Sequence, residues 1–186
     1  MKTIVDCLTE ADWEECREPD GYARVRGLAI RYIGVARRRT SGRVSAHLAD
    51  KGIAPDIISI VISDLERDGY IDDYKLACAV VRERRGRKAE GERALRFRMR
   101  GLGMKGEAIE LAIDEEPIDD TTRVREFLET KCEQSIVQLA NMTEFSETGL
   151  KIKSKVLRAC GGRGFELSVA LPVFDALVAE LRDSLI

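Results

Sequence analysis

Apolar residues recur with a helical period along almost the whole chain. Val25, Leu28, Ala29, Tyr32, Ile33 and Ala36 fall at i, i+3, i+4, i+7, i+8 and i+11, one stripe of an amphipathic helix. Val44 and Leu48 open a short second helix that Gly52 closes as a C′ residue. Pro55 suits the first turn of a third helix, striped by Ile57, Ile58, Val61, Ile62 and Leu65 and ended by Gly69. The β-branched run 57–62 also resembles a strand, but its period and the proline start favour helix. The pattern then recurs. Asp72 or Asp73 can N-cap a helix carrying Leu76, Ala77, Val80 and Val81. A basic turn from Arg84 to Gly91 leads to a helix with Leu95 and Met99 ended by Gly103, and Ala108, Ile109, Ala112 and Ile113 stripe a short helix after it. A third round opens on a longer helix around Val124, Phe127, Leu128, Ile136 and Leu139. A polar connection from Thr143 to Gly149 leads to a helix with Val156 and Cys160 ended by Gly164. Val173, Phe174, Leu177, Val178 and Leu181 stripe the last helix.

The three rounds superpose on their glycines. Gly52, Gly103 and Gly164 each precede one apolar residue, Ile53, Met104 and Phe165. Four residues before each glycine sit Leu48, Met99 and Cys160, and four before those sit Val44, Leu95 and Val156. The period is about 50–60 residues, one three-helix unit per repeat. Such a unit buries little alone, whereas stacked units share a core. The expected fold is therefore all-α, with three tandem three-helix repeats forming an elongated, curved array. The expected divisions are an acidic arm (1–21), repeat 1 (22–68), repeat 2 with the basic turn (69–115) and repeat 3 with a longer first helix (116–186). Pro172 would cost about 3 kcal/mol inside a helix. The last helix is therefore expected to begin at or near Pro172, with residues 165–171 irregular or in a separate turn.

Charge changes the picture. Lys and Arg total 31 and Asp and Glu 33 in 186 residues, for a net charge of −2, which excludes a uniformly basic protein but not a locally basic one. Residues 24–51 carry eight basic side chains against Asp50 alone, and residues 82–105 carry ten against Glu83, Glu90 and Glu92. Acidic stretches flank these blocks, at residues 1–20 and again from Glu107 to Asp120. Such segregation points to a polyanion or an acidic protein surface as partner, unless the blocks pair with each other in the fold. Hydrophobic residues at 44% argue against wholesale disorder, and aromatic residues at 5% suit an aliphatic helical core. No apolar run is long enough to span a bilayer, and the start of the chain lacks the apolar core of a signal peptide. Cys7, Cys16, Cys78, Cys132 and Cys160 are widely spaced and form no CxxC pair, which argues against a disulfide framework or a zinc site. A cytoplasmic protein is expected.

Catalytic chemistry finds no support. There is no HExxH, Walker lysine or GxSxG motif. The single histidine, His47, has only Asp50 near it in sequence, and a surface or pairing role is expected of it. The run Gly161-Gly162-Arg163-Gly164 ends a helix rather than opening a phosphate loop. Asp72 and Asp73 could hold a metal in principle, but a helix cap explains them more simply. No enzyme activity, cofactor or metal is expected.

Residues 65–77, Leu-Glu-Arg-Asp-Gly-Tyr-Ile-Asp-Asp-Tyr-Lys-Leu-Ala, resemble the central signature of the RecX regulatory protein family. The run from Val81 to Lys88 and the helix ending in Gly103-Met104 continue the likeness in order. Ala29 to Ile33 resembles that family's first repeat, and Lys155 to Phe165 its third. The likeness spans about residues 25–181. It implies a non-enzymatic negative regulator that binds the RecA recombinase filament on single-stranded DNA. The implied effect is inhibition of ATP hydrolysis, strand exchange and co-protease activity. Under that reading Arg82, Arg84, Arg85, Arg87 and Lys88 supply charge-based docking. Tyr70, Asp72 and Asp73 match the signature, with Tyr70 expected to pack the repeat junction and Asp72 to cap a helix. Arg31, Arg37, Arg38, Arg39, Arg93 and Arg96 form a secondary basic surface. The acidic arm, the Gly101-Leu102-Gly103 stretch and Pro172 depart from the family pattern. The arm could cover a basic face in competition with DNA. A monomer with no membrane partner is expected, contacting single-stranded or duplex DNA if any. The alternative is a helical DNA-binding module acting without RecA, which predicts salt-sensitive duplex binding by the protein alone.

Overall fold

The computed structural model describes residues 19–116, 119–142 and 146–184, with Pro19 and Asp20 described by backbone alone. Most of the expected acidic arm, with Cys7 and Cys16, lies outside them, as do Pro117 and Ile118 of the acidic junction and residues 143–145 of the polar connection. Among the described residues the chain is all-helical. The helices are α1 (Pro19–Ile33), α2 (Ser41–Ala49), α3 (Pro55–Arg67), α4 (Asp73–Glu83), α5 (Glu92–Gly101), α6 (Gly106–Glu115), α7 (Asp120–Lys131), α8 (Glu133–Ala140), α9 (Glu147–Gly161) and α10 (Leu167–Asp183), with a 3-10 turn at Gly86–Lys88. The local signals explain most boundaries. Thr40, Asp72, Asp119 and Ser146 accept backbone N–H groups of the first turns of α2, α4, α7 and α9. Pro55 opens α3. Gly52, Gly103 and Gly164 all take left-handed backbone angles, φ +78°, +76° and +80°, just after a helix end.

By packing, the chain divides into two units. The first holds the described residues up to Ala77 together with Arg100–Ile109; the second holds Cys78–Met99 and the described residues from Glu110 onward. In the first unit α1, α2 and α3 pack on one another around Val25, Ala29, Val44, Leu48, Val61 and Leu65. Helix α1 stops at Ile33, short of the predicted stripe, because Gly34 turns left-handed and leaves Ala36 exposed. In the second unit α10 packs on α7, α8 and α9 over a core of Val124, Phe127, Leu128, Val156, Phe165 and Phe174.

Two features of the second unit depart from expectation. Where the apolar period predicts one longer helix, the chain forms α7 and α8, which meet at Cys132. The buried Cys132 leaves helical angles there, while Leu128 before it and Ile136 after it both remain in the core. The second concerns Pro172. Helix α10 runs unbroken from Leu167, with Pro172 inside it, so the expected start near Pro172 and the irregular stretch before it are corrected. The physical reason is burial. Ala170 is fully buried one turn before Val173 and Phe174, and its N–H donates to Glu166 at 2.8 Å. Continuing the helix through Pro172 loses one backbone bond but keeps this whole face in the core.

Within each unit a glycine-on-glycine contact is paired with an aspartate bridging two helix starts. In the first unit the N–H of Gly42 donates to the C=O of Gly103 at 2.9 Å, and Asp73 Oδ1 accepts the N–H of Ser41 at 2.8 Å. In the second unit the N–H of Gly91 donates to the C=O of Arg163 at 3.0 Å, and Asp120 Oδ1 accepts the N–H of Glu92 at 3.0 Å. A Cβ on Gly42 would lie 2.5 Å from the Gly103 oxygen, and one on Gly91 would lie 2.7 Å from the Gly164 oxygen. Only glycine permits either approach.

Candidate docking surface

The basic turn after α4 is clamped from below by α7. Helix α4 ends with carbonyls that lack helical partners. Arg123, only 3% exposed, reaches up from α7 and donates to two of them, Arg84 at 2.8 Å and Val81 at 3.1 Å. Burial, and after it the charge of Arg85, pull the Arg123 pKa down, yet a guanidinium stays charged. One turn along α7, Glu126 takes the guanidinium of Arg85 in a fork and also accepts the N–H of Gly86 at 3.0 Å. The hydrogen bonds from Arg85 hold the Glu126 carboxyl below its ordinary pKa. The path of the turn is therefore fixed by hydrogen bonds on both sides of Arg85.

This clamp sorts the predicted docking cations. Arg82 is paired with Glu116, and Arg85 with Glu126. Arg96 is held between Glu92 and Glu110. Arg98 forks onto Glu90 at 2.6 and 2.8 Å, with Arg84 and Arg163 further out at 3.8 and 3.9 Å. Glu90 is 6% exposed, so this is a buried carboxylate ringed by three guanidiniums. Burial pushes its pKa up, but the hydrogen bonds and charge of Arg98, with Arg84 and Arg163 behind, outweigh that and hold it low. Arg87 and Lys88 differ. Both are exposed on the 3-10 turn and make no ion pair among the described residues. Arg93 on α5 is likewise exposed and unpaired among them. The ten-cation block thus reads more basic in the sequence than on the surface.

The remaining predicted residues belong to the first unit. Tyr70 is half-buried, packed against that unit's core. The guanidiniums of Arg37 and Arg26 lie 4.8 and 5.6 Å from its ring centroid. Arg37 holds this place with a left-handed backbone, φ +47°, and donates to the Gly69 carbonyl at 3.1 Å. Asp72 caps α4 through the N–H of Lys75 at 2.9 Å. Asp73 is 6% exposed, and its carboxylate takes the Ser41 N–H and hydroxyl and the N–H of Lys105. It therefore joins helix ends and presents no free face. Arg39 lies over the ring of Tyr32, which in turn stacks on His47 with centroids 3.9 Å apart. Arg31 and Arg38 are exposed and make no ion pair among the described residues.

Cys132 and Cys160 are buried free thiols. Burial pushes the Cys160 thiol up to about 12, far from a nucleophile at neutral pH. No cluster of three metal-ligating side chains occurs among the described residues. No helix among them is long and apolar enough to cross a membrane. One surface residue was not singled out by the sequence. Phe97 of α5 is 80% exposed, although it sits between the core residues Leu95 and Met99. Its only sequence signal is an aromatic residue set among four arginines.

No family model matches the chain. It is similar to curated relatives named Regulatory protein RecX. That of Mycolicibacterium vanbaalenii is 29% identical over 163 residues, covering 86% of this chain and 84% of the relative. That of Mycolicibacterium smegmatis is 25% identical over 174 residues, covering 92% and 89%. Among solved structures, RecX from Lactobacillus salivarius shares the fold with a TM-score of 0.67 at 20% identity, over 90% of this chain and 99% of that one.

Proposed function

This chain belongs to the RecX family of regulatory proteins, and from that premise we propose that it is a negative regulator of RecA. It binds the RecA–single-stranded DNA filament and lowers ATP hydrolysis, strand exchange and co-protease activity. It acts by binding, as a monomer, without a catalytic step of its own. The observation that carries this reading is the clamped basic turn. Arg123 and Glu126 fix its path while Arg87 and Lys88 remain unpaired and exposed. A cation already neutralised by a carboxylate has to lose that partner before it can dock. A free cation on a pre-set turn does not. Arg87 and Lys88, with Arg93 near them in sequence, are therefore the docking residues, ahead of Arg82, Arg85 and Arg96. Tyr70, Asp72 and Asp73 support the fold of the first unit.

The test is RecA ATPase on single-stranded DNA with this protein titrated in. Inhibition is expected, and the double change Arg87→Glu with Lys88→Glu is expected to weaken it at least tenfold with helical circular dichroism intact. The Arg82→Gln variant should inhibit nearly as well as the parent. Absence of inhibition by folded parent protein that binds duplex DNA tightly would replace this reading with a stand-alone DNA-binding module.

A further inference from the structure

Helix α5 keeps two kinds of face. Leu95 and Met99 are fully buried, and Ala94 lies against Gly164. Arg96 and Arg98 are held by carboxylates. The remaining face shows Arg93 and, one turn later, Phe97. Phe97 is 80% exposed, and no aromatic ring or cation covers it among the described residues. Among the described residues it is the one exposed aromatic ring: Phe127, Phe165 and Phe174 are buried, and the tyrosines are half-buried. The i, i+4 spacing sets the two side chains roughly 6 Å apart at their Cβ atoms.

A ring of this kind has two usual partners. A protein anchor sits at the centre of an apolar patch, surrounded by further side chains that exclude water. Phe97 has no such surround: one turn back on its helix stand Arg93 and the small, inward-packed Ala94. A nucleic-acid base needs less. It takes one open face of one ring, with a cation beside it for the phosphate. Arg87 and Lys88 add unpaired positive charge in the same unit. Duplex DNA does not fit this chemistry, because its bases already stack on each other.

We propose that Phe97 and Arg93 form a contact for single-stranded DNA, the ring stacking on one unpaired base and the guanidinium pairing with a neighbouring phosphate. The contact deepens the filament-binding reading, and it can be tested without RecA. Full-length protein is titrated against a fluorescent oligothymidylate and, separately, against a duplex of the same length, with anisotropy as readout. Phe97→Ala is expected to weaken single-strand binding roughly tenfold, from the range known for base–aromatic stacking. Phe97→Tyr is expected to restore it. Arg93→Gln is expected to flatten the salt dependence by about 0.7 in the slope of log K against log salt, one phosphate's share for a single strand. Duplex binding should change little in the Phe97 variants. The proposal is overturned if Phe97→Ala binds the single strand like the parent, or if the parent binds none. RecA ATPase inhibition, measured on the same variants, decides the regulatory reading separately. If Phe97→Ala loses inhibition while oligothymidylate binding is unchanged, the ring docks on protein instead.

Discussion

The two units solve one joining problem with unequal completeness. In the first, Asp73 accepts three hydrogen bonds: the N–H and hydroxyl of Ser41 and the N–H of Lys105. The Thr40 hydroxyl adds a fourth tie, to the Leu102 carbonyl at 2.5 Å. In the second, Asp120 accepts one, from Glu92. Burial therefore dominates there and raises the Asp120 pKa. The glycine contacts beside them are alike, and the charges are not. The second unit places a carboxylate under net desolvation at its junction and concentrates ion pairs on Glu90 nearby. A helix start capped by an acid is thus a common device, whose worth depends on how many donors converge on it.

Replacing each aspartate tests that inequality most directly. Asp73→Ala should cost about 3 kcal/mol in urea unfolding, since one buried and one part-buried backbone donor and a buried hydroxyl lose their acceptor. Asp120→Ala should cost about 1 kcal/mol. Equal losses would remove the distinction. The glycine contacts should behave alike. Gly42→Ala and Gly91→Ala each force backbone apart and should cost about 2 kcal/mol, read as a lowered urea midpoint at unchanged slope. Glu90→Gln comes next, at about 1.5 kcal/mol near neutral pH, from its charge-assisted hydrogen bonds to Arg98. Its native pKa is depressed, so its contribution is present above the unfolded value of about 4.3 and is lost as pH falls through the lower native value. The gap between parent and Glu90→Gln should close in acid. Asp120 gives the smallest effect and the opposite sign. Its raised native pKa adds stability that is full below the unfolded value of about 3.9 and lost as pH rises through the native one. Parent stability relative to Asp120→Asn should therefore fall on going from acid to neutral pH, by less than about 1 kcal/mol. A rise would contradict the desolvation argument.

The difference between what could and could not be read beforehand is one of range. Stripes, the cap at Asp72, and the left-handed glycines Gly52, Gly103 and Gly164 depend on neighbours a few residues away. They are legible for that reason. The break at Cys132 carries no Pro or Gly, and its apolar period runs through, so nothing local announces it. Pro172 is the reverse case: a local breaker overruled by the burial of Ala170, Val173 and Phe174. The surface is least legible. Arg82 meets Glu116 and Arg85 meets Glu126 across long stretches of chain, so a basic run in sequence is largely neutralised in space. Phe97 lies off the Leu95–Met99 stripe, but nothing local marks it as a contact.

The clamp made by Arg123 has a kinetic consequence. Its bonds to the carbonyls of Arg84 and Val81 are shielded, whereas Arg87 and Lys88 stand in solvent. Ions added to the medium screen exposed charges far more than buried ones. Rising ionic strength should therefore slow encounter with an anionic partner while the turn keeps its form and the bound lifetime changes less. The loop behaves as a fixed mount whose reach into solution, rather than its grip, is set by salt.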